Sequence, residues 1–285
     1  MQEMDLSIVI INHNTRKLTT QAVEAIFLSR PNIEFEIIIV DNSDNPDEYF
    51  STDLNGVKIV SHVENKGFSH GCNIGAMEAQ GEYILFLNSD TVMQEHTLDE
   101  SVWYLRRNSQ VGILGVQVIL QNGELDHACK RGFPTPWNAF CYFLHLDKLF
   151  PKTPLMNGYC LGHLDNDKIQ NVDAVTGAYL MISAKLYQQV QGFDETFFMY
   201  GEDLDLCWRV KAAGYQIVYY PFVSCIHLKG QSGKAAQNPV VKYHFYNSML
   251  IFYDRYYQER YPRWVTGMVK WVIRRKMPVF MGEAV

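Results

Sequence analysis

Residues 6–15 read LSIVIINHNT: a nearly continuous apolar, β-branched run from Leu6 to Ile11, ended abruptly by Asn12-His13-Asn14-Thr15. A strand that is apolar on both faces suits the interior of a parallel sheet with cover on each side. The pattern recurs along the first half. Phe35 to Val40 (FEIIIV) stops at Asp41-Asn42-Ser43-Asp44, and Tyr83 to Leu87 (YILFL) stops at Asn88-Ser89-Asp90. A shorter strand-like run, Val57 to Ser61, leads through Asn65-Lys66-Gly67-Phe68-Ser69-His70-Gly71-Cys72-Asn73 into a small-residue helix, Ile74 to Ala79. A helix-like stretch, Leu18 to Ser29, separates the first two strands and breaks at Pro31-Asn32. Such alternation predicts an α/β sheet with right-handed crossovers. Ligands of these sheets bind beyond the carboxyl ends of the strands. One polar strand end is only a turn; several on one sheet make a rim.

Each cluster has its own chemistry and its own ordinary explanation. Asp41 can accept hydrogen bonds from a base or ribose, or simply close an Asx turn. Asn65-Lys66-Gly67 offers glycine for close backbone approach to a phosphate and a lysine for its charge. It matches neither the P-loop nor the dinucleotide fingerprint. Asn88-Ser89-Asp90 sets two oxygen-bearing side chains at i and i+2, which suits a hard divalent cation sharing its shell with phosphate oxygens and water. Standing alone, that tripeptide is a turn.

Beyond these, Gly112 to Leu120 is another apolar strand pattern, and Gln121-Asn122-Gly123-Glu124 is a turn signal. Cys129 to Asn171 is the least regular region, with prolines at 134, 136, 151 and 154. Tyr179 to Ile182 reads as a strand. Gly192 to Gly214, GFDETFFMYGEDLDLCWRVKAAG, then carries Glu202, Asp203 and Asp205 at the start of a helix-compatible run. Leu206, Val210 and Ala213 share one face of it, and Gly214 stops it. Acids in a first helical turn ordinarily complement the dipole and the unpaired N–H groups.

Composition narrows the classes. The chain has 285 residues and a net charge of −6, which argues against nucleic acid as a general partner. Val240 to Met277 holds eight Lys/Arg against two Asp/Glu, a local +6 on a body of −12. Six scattered cysteines (Cys72, Cys129, Cys141, Cys160, Cys207, Cys225) have no zinc-like spacing and predict free thiols in a reducing cytosol. No leader and no spanning helix are expected, so the protein reads as cytoplasmic or peripheral at the inner face of a membrane.

The ordered set S-I-V-I-I-N, I-I-V-D-N-S, N-K-G-F-S-H-G-C-N-I-G and L-F-L-N-S-D, followed by D-A-V-T-G-A-Y-L-M-I-S and G-F-D-E-T-F-F-M-Y-G-E-D-L-D-L-C-W-R, resembles family 2 glycosyltransferases of the GT-A fold. It is most similar to the bacterial rhamnosyltransferase-like branch that builds cell-surface polysaccharides, over about residues 5 to 232. The resemblance implies a mostly parallel twisted sheet flanked by helices, with a C-terminal helical extension. Residues 1–239 would form the transferase domain, with a nucleotide-sugar half (1–127) and an acceptor and catalytic-base half (128–239). Residues 240–285 would be a basic, aromatic tail.

Carried over by position, the resemblance places Asn12, Asp41, Lys66, Gly67, Asn73, Asn88 and Ser89 around the nucleotide. Asp90 is the last acid of the family's D-x-D motif, holding Mg²⁺ or Mn²⁺ against the diphosphate, with His227 a further metal-site residue. Asn88 stands where the motif has its first aspartate, which leaves a less charged site. Thr176 and Gly177 would pack under the donor sugar, and Lys229 would contact phosphate. Asp203 would be the general base, Glu202 its neighbour on the acceptor side, and Asp205 a helix-turn acid. The activity implied is inverting transfer of a sugar, L-rhamnose from dTDP-rhamnose, onto a lipid-linked saccharide. Another nucleotide sugar such as a UDP-hexose, or a non-catalytic sugar-nucleotide-binding protein, is the alternative. A sugar nucleotidyltransferase would need a glycine-rich basic loop near the N-terminus, and Asn12 to Lys17 lacks glycine. The aromatic, basic tail suits an anionic membrane surface; the same composition suits packing on the domain or in a homodimer.

Overall fold

The strand quoted first is β1 (Leu6–Asn12), paired in parallel on both edges, with β2 (Phe35–Asp41) and β4 (Tyr83–Leu87). The structure is a computed structural model that describes residues 4–228 and 238–279. Among these, α1 (Arg16–Leu28), β3 (Val57–Val60), α2 (Phe68–Met77), β5 (Thr91–Met93), α3 (Thr97–Arg107) and β6 (Val111–Leu120) complete the first half. The second half holds α4 (Pro136–Phe143), α5 (Leu146–Leu149), β7 (Gln170–Val172), β8 (Tyr179–Ser183), α6 (Ala184–Gln189), α7 (Glu202–Ala212) and β9 (Gln216–His227). Two further helices follow, α8 (Pro239–Tyr256) and α9 (Arg263–Lys276).

The expected α/β class holds. The sheet runs β3-β2-β1-β4-β8-β6-β9-β5, with β7 on β9. It is parallel through β3-β2-β1-β4 and again at β6–β9, while β8, β5 and β7 run antiparallel. Register brings the polar strand ends level: Asn12 is opposite Asp41, and Ile10 is opposite Leu87, one residue before Asn88. The strand order reverses between β1 and β4, beside this rim, and that is the place where open α/β sheets bind ligands.

Three local expectations need correction. Helix α2 begins at Phe68 rather than Ile74, so Asn73 is helical. Its start is fixed from far along the chain: the Phe68 N–H donates to the Phe198 carbonyl at 2.8 Å. Gly67, at φ +103°, is there because a Cβ would meet the Phe198 carbonyl oxygen at 2.4 Å. In α7, Ala213 is the exposed C-cap, so the buried face is carried by Leu206, Cys207 and Val210. The prolines of 129–171 do not leave it wholly irregular: Pro136 opens α4, whose Asn138 N–H is capped by Thr135.

Asp205 is more than a helix-turn acid. Fully buried, it accepts hydrogen bonds from Arg209 Nε (2.7 Å), Arg255 Nη1 (2.9 Å) and the Tyr256 hydroxyl (2.6 Å). That carboxylate ties α8 to α7, and Trp208 stacks on Tyr256 with ring centres 4.5 Å apart beside it. All six cysteines are free, five of them buried and Cys160 half-buried. Among the described residues no helix is long and apolar enough to cross a membrane.

Candidate active site

A cavity of about 270 Å³ opens at the level strand ends, lined by Asn42, Asn88, Ser89 and Asp90 together with Gly67, Phe198 and Met199. The structure therefore brings the ends of β2 and β4, the start of α2 and the segment before α7 to one place. It does not put every expected residue on the surface of that cavity. Asn12 is buried behind it: its amide nitrogen donates to Ser43 Oγ and the Glu48 carbonyl, each at 2.9 Å, and its oxygen accepts from Thr19 Oγ1 at 2.7 Å. Asp41 accepts the N–H groups of Ser43 (3.0 Å) and Phe50 (2.5 Å), closing the Asx turn that the sequence also allowed.

Asn73 is engaged in the same manner. It donates to the Phe193 carbonyl (2.9 Å) and Glu195 Oε1 (2.8 Å) and accepts from Tyr187 and the Phe193 N–H. It thereby pins the loop ahead of α7. Lys66 is exposed and paired with Glu64 at 2.8 Å. A residue the motif reading passed over is Asn42, whose Oδ1 is buried on the cavity wall without a hydrogen-bond partner. A buried orphan of that kind is a binding-site signal. In sequence Asn42 was visible only as one member of a polar strand end.

Asp90 and His227 meet although 137 positions apart, because Thr91 of β5 pairs with His227 at the end of β9. Asp90 Oδ1 lies 3.0 Å from His227 Nε2, and Asp126 Oδ2 lies 3.3 Å from Nδ1 on the other side of the ring. Asp126, not foreseen from sequence, orients the imidazole. Among the described residues no three or more His, Cys, Asp or Glu side chains form a metal-ligand group. Lys229 lies outside the described residues.

Asp203 stands at the start of α7, mostly buried. Its Oδ2 accepts from Arg131 Nη2 at 2.5 Å and from the Gly177 N–H at 3.1 Å, and its Oδ1 accepts from the Leu204 N–H at 2.8 Å. A carboxylate offers roughly four lone-pair sites, two on each oxygen. Three are used here, so the remaining one is on Oδ1. Arg131 also donates to the Val175 carbonyl at 2.7 Å. Burial works against its charge, but Asp203 and Tyr159 hold its pKa above the ordinary value. The sequence signal for Arg131 was a basic pair, Lys130-Arg131, between a buried-type Cys129 and Phe133.

Glu202 contrasts with its neighbour. Its Oε2 is buried with no hydrogen-bond partner. Burial first, and the Asp203 charge second, push its carboxyl up to about 8, against the pull of Arg131. Asp205, Cys72 and Tyr200 are the other titratable groups that face it. Gly201, Glu202, Asp203 and Leu204 line a second cavity, of about 170 Å³, which shares no lining residue with the first. Gly177 lies against Asp203, and a Cβ on it would find only ordinary contacts at 3.9 Å, so steric need does not explain that glycine; the Thr176 hydroxyl accepts from the Ala178 N–H at 3.2 Å.

Residues 4–239 match the family model described as glycosyltransferase like family 2, and the chain belongs to that family. It is similar to the rhamnosyltransferase WbbL of Escherichia coli, at 25% identity over 253 residues, 83% of this chain and 88% of that protein. The N-acetylglucosaminyl-diphospho-decaprenol L-rhamnosyltransferase of Mycobacterium tuberculosis is 25% identical over 194 residues, 68% of this chain and 60% of that one. The O-antigen biosynthesis protein RfbC of Myxococcus xanthus is 26% identical over 243 residues; the match takes in 84% of this chain but 18% of that protein. Among solved structures, GalNAc-T7 with UDP, GalNAc and Mn²⁺ superposes with a TM-score of 0.58 at 16% identity, over 80% of this chain and 45% of that one. The mannosyltransferase PcManGT of Pyrobaculum calidifontis, with GDP-Man and Mn²⁺, gives 0.57 at 15% identity, over 88% and 64%. The fold is that of the GT-A glycosyltransferases.

Proposed function

We propose that the protein is an inverting glycosyltransferase that moves L-rhamnose from dTDP-rhamnose onto a lipid-linked saccharide in cell-surface polysaccharide synthesis. The observation that carries this reading is the position of residues 198–204: Phe198 and Met199 face the cavity at the strand ends, and Gly201 to Leu204 face the other. One short segment, ending in Asp203, thus divides a donor side from an acceptor side. The names of the relatives in E. coli and M. tuberculosis support rhamnose as the sugar, and the second supports a lipid-diphosphate acceptor.

The reaction is a direct displacement. The acceptor hydroxyl oxygen forms a bond to the anomeric carbon as the bond from that carbon to the diphosphate oxygen breaks. The electron pair leaves with the nucleoside diphosphate, and the hydroxyl proton passes to the unspent lone pair of Asp203 Oδ1. Arg131 and the Gly177 N–H orient that carboxylate through Oδ2. Asn42, Asn88 and Ser89 supply polar contacts to the donor, while Asn12, Asp41 and Asn73 hold the walls that carry them. Thr176 and Gly177 lie under the sugar. Asp90 and His227, an oxygen donor and an imidazole backed by the Asp126 carboxylate, would hold Mg²⁺ or Mn²⁺. When bound, the ion stabilises the charge that develops on the leaving diphosphate.

The tail has two faces. Trp264, Met268 and Trp271 are exposed at helical spacing on α9, near the exposed Arg274, Arg275 and Lys276. That pairing supports contact with an anionic membrane surface, where lipid-linked acceptors reside. The test is a panel of dTDP-, UDP- and GDP-sugars offered to the full chain with Mg²⁺ or Mn²⁺. Turnover of dTDP-rhamnose above the others is expected, and Asp203→Asn should cut it by about 10³-fold while leaving the nucleotide dissociation constant within threefold. Preference for a UDP-hexose would overturn the donor, and undiminished turnover by the variant would remove Asp203 from the mechanism.

A further inference from the structure

The second cavity is the least explained feature of the molecule. It is walled by five separate pieces of chain: Ala139 and Phe143 from α4, Tyr159 from the loop beyond α5, Phe252 from α8, Ile273 from α9, and the Glu202-Asp203 pair. Its walls are mainly apolar and aromatic, but four tyrosine side chains, Ser248 and Arg131 interrupt them. Aromatic faces with a few convergent polar groups are the make-up of a small-molecule site rather than of a packing defect. A cavity of ~150 Å³ accommodates one benzene-sized ring, so about 170 Å³ has room for one six-membered ring and not for a chain of sugars.

Polar accounting points to the occupant. Asp203 has one unspent lone-pair site, and Glu202, whose Oε2 is buried without a partner, lines the same cavity. A carboxyl left unsatisfied on burial is destabilising until a ligand hydroxyl bonds to it. A pure hydrocarbon would leave both oxygens wanting. A fully polar ligand would strand its hydroxyls against Phe252 and Ile273. A pyranose satisfies both, because its C–H face is apolar and its edge carries hydroxyls.

We propose that this cavity is the subsite for a single acceptor pyranose, laid with its apolar face on the aromatic wall, one hydroxyl at Asp203 Oδ1 and a second bonded to Glu202. This rests on the transferase reading and adds to it that α8 and α9 build the acceptor site. Glu202 is then a specificity residue for the acceptor. The protonated carboxyl can donate and accept at once, as an amide can.

The experiment uses the full chain and the methyl glycosides of N-acetylglucosamine, glucose, galactose and rhamnose, with binding followed by saturation-transfer NMR in the presence of dTDP. At least one glycoside should bind saturably in the millimolar range. Ile273→Trp and Ala139→Trp fill the cavity from different helices, and each should weaken that binding tenfold or more with dTDP affinity unchanged. Glu202→Gln should hold glycoside affinity within threefold, whereas Glu202→Leu should lose tenfold. Absence of saturable binding for all four glycosides, or binding that survives both tryptophan variants, overturns the subsite. Glu202→Leu binding as well as wild type overturns the role of Glu202. Glycoside binding without any nucleotide-sugar binding would instead break the transferase reading and leave the cavity assignment standing.

Discussion

The strand-end rim, Asn42 apart, and the Glu202-Asp203 pair that starts α7 are both built from buried polar side chains, yet they use them in opposite ways. At the rim, Asn12, Asp41 and Asn73 have their bonding groups taken up by the protein itself: loop N–H groups, carbonyls and hydroxyls. At α7, Glu202 keeps an orphaned oxygen and Asp203 keeps one lone-pair site. The first group shapes a cavity that others line. The second faces its cavity with bonding capacity left over. Burial and polarity are therefore not enough to mark a contact residue; what distinguishes it is an unmet hydrogen bond.

The comparison can be broken from either side. Asp205, two residues beyond Asp203, is fully satisfied and should behave like the rim. Asp205→Ala strands Arg255, Arg209 and Tyr256 in a partly buried network, and a loss of about 3 kcal/mol is expected from urea unfolding. Asn12→Ala should follow at about 2 kcal/mol, the scale of a lost buried network. In both, the surviving folded fraction should keep its nucleotide affinity. A large fall in affinity for Asn12→Ala at unchanged stability would make Asn12 a contact after all.

A smaller effect separates Glu202 from these. Its pKa is raised in the folded protein from the ordinary carboxyl value to about 8. The native state therefore holds a proton that the unfolded chain releases, and stability falls as pH rises through the interval between the two values. Below the ordinary carboxyl range this contribution is complete, and above about 8 it is gone. Glu202→Gln removes it. The variant's melting temperature should decline less than that of wild type between about pH 5 and pH 8.5. Parallel curves would mean that Glu202 is ionised in the folded state.

The sheet was legible because its strands are short apolar runs with polar stops, and a fully buried parallel strand has no other way to be written. Every one of β1, β2, β4, β6 and β8 falls within a residue or so of its sequence reading. The rim was legible as a place for the same reason. Which rim residues face outward was not, since that depends on partners such as Phe50 and Glu48, reached only when the loop folds back. Helix α2 began early because its first N–H is taken by Phe198, 130 positions away. Arg131 and Asp126 escaped notice because each acts through a residue about 70 to 100 positions distant. Long-range electrostatic pairing has no local signature. The role of Asp205 likewise waits on Arg255 in α8.

The central claim is that one carboxylate, Asp203, takes the proton in a single displacement between two cavities. Its most direct test is the configuration of the first sugar released. With the preferred nucleotide sugar and water as acceptor, proton NMR recorded before mutarotation should show the anomer inverted relative to the donor. Retention is incompatible with a single in-line displacement and would contradict the account.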